Sequence, residues 1–280
     1  GDILVTTLAA GTGGRWSPPS MVLSEEEEGQ IPKIIANAPV VVQDPRRPES
    51  RYWVLPYWRE QPRGRTNCRT ASDDFAGTLR STGKGDWQAW GRTEFSRKIK
   101  MSKPDWLIEG TVVQLRNGTL MQLYRTSRNV TYKTLSHNAG QSWTAPAPTA
   151  LPNANSKSHA IRLSNGAIVM AMNHHGFVEK IRSNLWIMIS GDDGETWETL
   201  AQLESKFVRE RRFHYPTLKQ VGCELYCVYS VSGRGIKLAR IPLEFTDDWT
   251  LDSEDSSEDS SEGSSEGSSE DSSEDSSEED

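Results

Sequence analysis

The chain has 280 residues, ten tryptophans, 35% hydrophobic residues and a formal net charge of −7. No apolar run approaches the ~20 residues of a membrane-spanning helix, no secretory leader is visible, and the Cys and His residues show no metal spacing, so no membrane, nucleic acid, metal or cofactor is expected. The charge hides two parts: residues 251–280 hold 14 of the 39 acids and none of the 32 bases, which leaves a mildly basic body suited to an anionic ligand.

In chain order, residues 1–30 open with "GDILVTTLAAGTGGRWSPP", a short apolar run followed by a turn-like Gly-Gly-Arg-Trp-Ser. Residues 34–100 carry the apolar run "RYWVLPYWREQP" and end on the turn "STGKGDW", Ser81 to Trp87. In 105–152, "TVVQLRNGTLMQLY" sets two strand-like runs around Asn117-Gly118, and "SHNAGQSW" follows, ending at Trp143. In 156–205, "HAIRLSNGAIVMAMN" does the same around Asn165-Gly166, and "LWIMIS" leads into "SGDDGETW", ending at Trp197. "YPTLKQVGCELYCVYS" begins a last unit over 210–250. Asn-Gly and Asp-Gly pairs between apolar runs predict tight hairpins, because Gly and Asn accept positive φ.

The turn at Ser190–Trp197 is not an EF-hand calcium loop, since no alternation of Asp and Asn leads into Gly194. Its tryptophan recurs at 87, 143 and 197, intervals of 56 and 54 residues. The repeating unit reads strand, Asn-Gly turn, strand, strand, Asp-Gly turn, Trp strand. That is a four-stranded antiparallel sheet of about 50 residues, the size of a propeller blade. Cys223 and Cys227, four apart in one strand-like run, are expected to share a face as plain thiols, too distant for a disulfide. Histidines 137, 159, 174, 175 and 214 are scattered and read as loop or surface residues. Two sequons, at Asn117 and Asn129, are compatible with secretion. The Ser/Asp/Glu tail over 251–280 has no apolar residue after Leu251 and is expected to be disordered, with calcium or a basic protein as conceivable partners.

The S-x-D-x-G-x-T-W turn resembles the Asp-box, or bacterial neuraminidase repeat, and residues 1–245 resemble the sialidase superfamily. The resemblance implies an all-β propeller over 1–250, six-bladed in that superfamily, with four blades and a fraction recognisable here. It places the Asp-boxes on the rim, away from the active site. By repeat alignment Gly1 falls at a hairpin turn, so the opening strand of that first blade is expected to be missing.

The chemistry that goes with this resemblance is hydrolysis of a sugar whose anomeric carbon carries a carboxylate. Arginines hold the carboxylate. A tyrosine serves as nucleophile because it approaches uncharged, and a glutamate takes its proton. Carried over residue by residue, Glu109 in "IEGTVVQL" is the base and Tyr215 in "FHYPTLKQ" the nucleophile, the two expected close enough to hydrogen-bond. Arg125 in "LMQLYRT" and Arg182 before "NLWIMIS" are carboxylate clamps, with Arg211 or Arg212 as substitutes for Arg182. Asn155, Asn173 and Arg234 are further substrate contacts. The first arginine of the clamp and the Asp general acid have no clear counterpart, and Arg15, Asp73 and Asp74 stand in the wrong context. Two other readings remain: a non-catalytic glycan-binding propeller, and a scaffold whose acidic tail recruits cations or a basic partner.

Overall fold

The computed structural model describes residues 2–8, 13–24, 26, 33–59, 75–81, 90–94, 106–178, 181–205 and 212–243. The turn ending at Trp87, Asp73, Asp74, Arg211 and the acidic tail lie outside the described residues.

Every strand-length element among the described residues is β, and the strands are arranged as four blades and a partial one. β1 (Ile3–Val5) and β2 (Ser20–Leu23) form the two-stranded partial blade. The second sheet contains β3 (Lys33–Ile34), β4 (Val40–Asp44), β5 (Arg47–Arg59), β6 (Phe75–Ser81) and β7 (Trp90–Glu94). Its inner edge is broken: β3 and β4 both pair with the long β5. The third sheet runs β8 (Leu107–Gln114), β9 (Leu120–Thr126), β10 (Val130–Ser136) and β11 (Ala147–Pro152). The fourth runs β12 (His159–Arg162), β13 (Ile168–Asn173), β14 (Leu185–Ser190) and β15 (Glu198–Glu204). The last has β16 (Phe213–Val221), β17 (Glu224–Val231) and β18 (Gly235–Pro242). The third and fourth sheets reproduce the repeating unit expected from the turns.

Strand alternation explains how the blades pack. Every residue of β13 is buried. Val169 and Ala171 face the core shared with Leu225, Cys227 and Tyr229 of the last blade. Ile168, Met170 and Met172 face the core shared with Val113, Met121 and Leu123 of the third. A middle strand between two neighbours is therefore apolar on both faces, which the run "IVMAMN" satisfies. Ile3 and Leu23 seat the partial blade on Leu55, Tyr57 and Leu79.

The Asp-box turns lock neighbouring blades. In the fourth blade Asp192 accepts from the Thr196 amide and hydroxyl, the Glu195 amide and the Ser190 hydroxyl. Although desolvation pushes its carboxyl up, those donors hold it down at about 2. Gly194 has φ 89°, and a Cβ there would meet Met121 of the preceding blade at 2.8 Å. In the third blade the neutral Asn138 makes the corresponding bonds to Ser136 and Ser142. An arginine of the preceding blade reaches each turn: Arg80 Nε donates to the Ala139 carbonyl at 2.7 Å, and Arg116 donates to the Gly191 carbonyl. Trp143 and Trp197 pack equivalently, each half-buried against the core shared with the preceding blade.

The cysteine expectation is corrected. Cys223 is exposed in the β16–β17 turn, and only Cys227 lies on the strand, buried; both are free. The two-residue turn Gly222-Cys223 starts the return strand later than the apolar run suggests.

Candidate functional site

The inner strands β8, β12 and β16 come from consecutive blades, and side chains stitch them together. Asn37 Nδ2 donates to the Gly110 carbonyl at 2.8 Å, tying the second blade to the third. The Thr111 hydroxyl meets the Ala160 amide and carbonyl, tying the third to the fourth. The Leu218 amide donates to His159 Nδ1 at 2.9 Å, tying the fourth to the last. That bond needs an unprotonated ring nitrogen, and burial, with the nearby Lys157 charge, holds His159 down to about 4. His159 is thus a core residue rather than the loop or surface histidine expected from sequence.

Where these strands begin, the backbone departs from regular β geometry. Glu109, Asn155 and Tyr215 have φ of 53°, 52° and 58°. The registers of β8 and β16 slip at Ile108/Thr111 and His214/Thr217, so Glu109 and Tyr215 sit on equivalent bulges two blades apart. A left-handed non-glycine residue costs on the order of 1–3 kcal/mol, and such strain gathers at functional sites. Gly110 permits the first bulge, since a Cβ there would lie 2.2 Å from the Gln122 amide nitrogen.

The bulges open onto a cavity of about 660 Å³. The second blade contributes Ile34, Ile35, Ala36 and Trp58, and the third Trp106, Ile108, Glu109 and Arg125. Asn155 and Lys157 precede the fourth blade's inner strand, and Tyr215 and Thr217 come from the last. Arg125 Nη1 pairs with Glu109 Oε2 at 2.9 Å, and its Nε donates to Asn155 Oδ1 at 2.8 Å. Arg182 stands at the edge. It donates to the Asn155 carbonyl at 3.2 Å, and its guanidinium lies over the Tyr215 ring at 5.7 Å. Burial, then the charge of Arg125, lowers the Arg182 pKa from its ordinary value. His214 packs edge-on against Tyr215, 5.1 Å between centroids, and burial, then Arg182 and Arg212, lower its pKa.

Of the residues expected from sequence, Glu109, Arg125, Asn155 and Tyr215 line one cavity and Arg182 borders it. The expected hydrogen bond between Tyr215 and Glu109 is not made: the Glu109 carboxylate is paired with Arg125, and the Tyr215 ring packs against His214 and Arg182. Asn173 is a brace rather than a lining residue. It is buried, and its Nδ2 donates to the Ser183 and Phe213 carbonyls at 2.9 Å, holding the segments that carry Arg182 and Tyr215. Arg234 is exposed in the β17–β18 turn, at the Tyr215 end of the blade but outside the cavity lining. Arg15 is exposed in the turn of the partial blade.

Sequence reading missed Lys157, Trp58 and Trp106. Lys157 carried a usable signal: it precedes Gly166 by nine residues, as Glu109 precedes Gly118. It is buried, donates to the Pro216 carbonyl at 2.6 Å, and burial pulls its pKa down to about 8 against the opposing pull of Glu109.

Comparison with solved structures finds the same fold in several sialidases. A sialidase from Streptococcus pneumoniae, solved with 2-[(3-chlorobenzyl)ammonio]ethanesulfonate, superposes with a TM-score of 0.60 at 12% identity, covering 86% of this chain and 36% of that one. An intramolecular trans-sialidase from Ruminococcus gnavus, in complex with oseltamivir carboxylate, gives 0.60 at 15% identity, covering 84% and 49%. A sialidase from Trypanosoma rangeli, holding 2,3-difluorosialic acid as a covalent intermediate, gives 0.56 at 15% identity, covering 86% and 37%. The chain thus spans less than half the length of each, and at these identities the likeness shows the fold. No curated protein sequence matches. The profile of the BNR repeat-like domain matches residues 2–227, and the chain belongs to that family.

Proposed function

We propose that the cavity binds an acidic sugar and that the protein is a sialidase-type, retaining exo-glycosidase. The observation that carries this is the convergence of Glu109, Arg125, Asn155 and Tyr215, from three consecutive blades, on one cavity, with three of the four in left-handed backbone conformations. Trp58, Trp106, Ile34 and Ile35 give an apolar wall, and Arg125 and Lys157 give positive charge. That pairing of surfaces suits a sugar ring bearing a carboxylate.

In this reading Arg125, with Arg182 at the edge, orients the carboxylate. Tyr215 attacks the anomeric carbon as Glu109 takes the phenolic proton. The leaving oxygen departs with the bonding pair, and water then cleaves the aryl glycoside formed on Tyr215. Arg125 engages one carboxylate oxygen of Glu109, Oε2, which leaves Oε1 to accept the phenolic proton of Tyr215.

One observation favours a second reading, a glycan-binding propeller without turnover. Glu109 is the one carboxylate among the described residues that line the cavity, whereas release of an alkyl alcohol needs a separate proton donor. A 4-methylumbelliferyl glycoside of N-acetylneuraminic acid separates the two, because its phenolate leaves without protonation. Release of methylumbelliferone that disappears in Tyr215→Phe supports the glycosidase. Binding of N-acetylneuraminic acid with no release supports the binder. Neither binding nor release defeats both.

A further inference from the structure

Lys157 is the least accessible charged group of the cavity, 4% exposed. Its ammonium has three N–H donors. One goes to the Pro216 carbonyl, and Lys157 forms no ion pair with any described residue, since the cavity's carboxylate, Glu109, is already paired with Arg125. A stitch to a carbonyl does not call for a cation. Asn37 and Thr111 make comparable ties between inner strands with an amide and a hydroxyl. Burying an ammonium against one neutral acceptor leaves most of its desolvation cost uncompensated. The lowered pKa, about 8, has burial as its largest cause.

We propose that Lys157 is a ligand contact, its ammonium taking an anionic oxygen of the bound sugar beside Arg125, from the blade between those that carry Glu109 and Tyr215. This rests on the acidic-sugar reading and extends it, because it gives the cavity floor a cation absent from the sequence-derived set. It also makes binding pH-dependent. The anion meets the charged ammonium, so affinity is full below about 8 and falls as pH rises above it. The groups around this charge are Glu109 on β8, Arg125 on β9, Tyr215 on β16, Cys227 on β17 and His159 beside it. Burial keeps the His159 imidazole at about 4 and the Cys227 thiol at about 12, so both stay neutral around pH 8.

The test is calorimetric titration of the full chain with N-acetylneuraminic acid and, separately, glucuronic acid. Lys157→Gln keeps an N–H for the Pro216 carbonyl and removes the charge. The expected result is about tenfold or more loss of affinity for whichever acid the wild type binds. Unchanged affinity in Lys157→Gln overturns the proposal while leaving the acidic-sugar reading standing. Binding of glucuronic acid alone, weakened in Lys157→Gln, supports the lysine contact and overturns the sialic-acid reading. No binding of either acid by the wild type overturns both. Should Lys157→Gln fail to fold by circular dichroism, the wild type decides: near pH 8 the binding heat should vary with the buffer's ionisation enthalpy, because binding takes up a proton. A buffer-independent heat overturns the proposal.

Discussion

The two ends of the third and fourth blades solve opposite problems. At the Asp-box end side-chain hydrogen bonds close the turn: Asp192 takes hydrogen bonds from three residues, and its turn is held by Arg116 of the blade before. At the other end the inner strands bulge, Glu109 and Tyr215 sit in left-handed conformations, and a buried ammonium faces the cavity with a single carbonyl partner. The hydrogen-bonded end locks neighbouring blades, and in the proposed function the strained end carries the chemistry. The repeat that stands out in the sequence therefore marks the opposite end from the cavity.

The largest effect should come from the strained end. Glu109→Gln should lower release of methylumbelliferone from the aryl glycoside on the order of 10²- to 10⁴-fold. It should lower the melting temperature yet still fold, because Gln accepts from Arg125 but no longer offsets the charge of that largely buried guanidinium. A variant that melts early and keeps its activity would make Glu109 a structural residue. Next comes Gly194→Ala at the hydrogen-bonded end. Its left-handed φ and the 2.8 Å approach of Met121 predict a loss of about 1–3 kcal/mol in denaturant unfolding, with sugar affinity unchanged in the folded fraction. Asp192→Ala should cost on the order of 1 kcal/mol, again without touching affinity.

The smallest effect is one of pH. The Asp192 carboxyl is held at about 2, below its ordinary value of 3.8, so its contribution is present above pH 4 and lost as pH falls through 2. Acid melts of wild type and Asp192→Asn should converge in that window. The third blade already carries the neutral residue, Asn138, at the equivalent place, so Asn138→Ala should lower stability without changing the acid dependence.

The fold was readable because turns and alternation are local. Asn117-Gly118, Asn165-Gly166 and the Asp-box turns each mark a hairpin, and "IVMAMN" is apolar throughout because both of its faces are covered. The site was readable in part. Glu109, Arg125, Asn155 and Tyr215 stand at fixed places in a repeat, and the repeat brings those places together. Which way each side chain points was not readable, since a bulge and a positive φ turn it off the alternation. That is why the Tyr215–Glu109 hydrogen bond was expected and Arg125 holds Glu109 instead. Asn173 was taken for a contact because a strand-end asparagine looks the same whether it faces a ligand or, as here, two carbonyls. Lys157 was passed over because the residues of "NANSKS" alone do not distinguish a buried lysine from a solvated one; only its spacing to Gly166, the same as that of Glu109 to Gly118, marks it.

The most direct test of this division is titration of N-acetylneuraminic acid into Arg125→Met and Asp192→Ala, both checked for folding. The account predicts that Arg125→Met loses about tenfold or more in affinity while Asp192→Ala binds like wild type. Loss of affinity in Asp192→Ala with Arg125→Met unaffected would place the sugar at the Asp-box rim and contradict it.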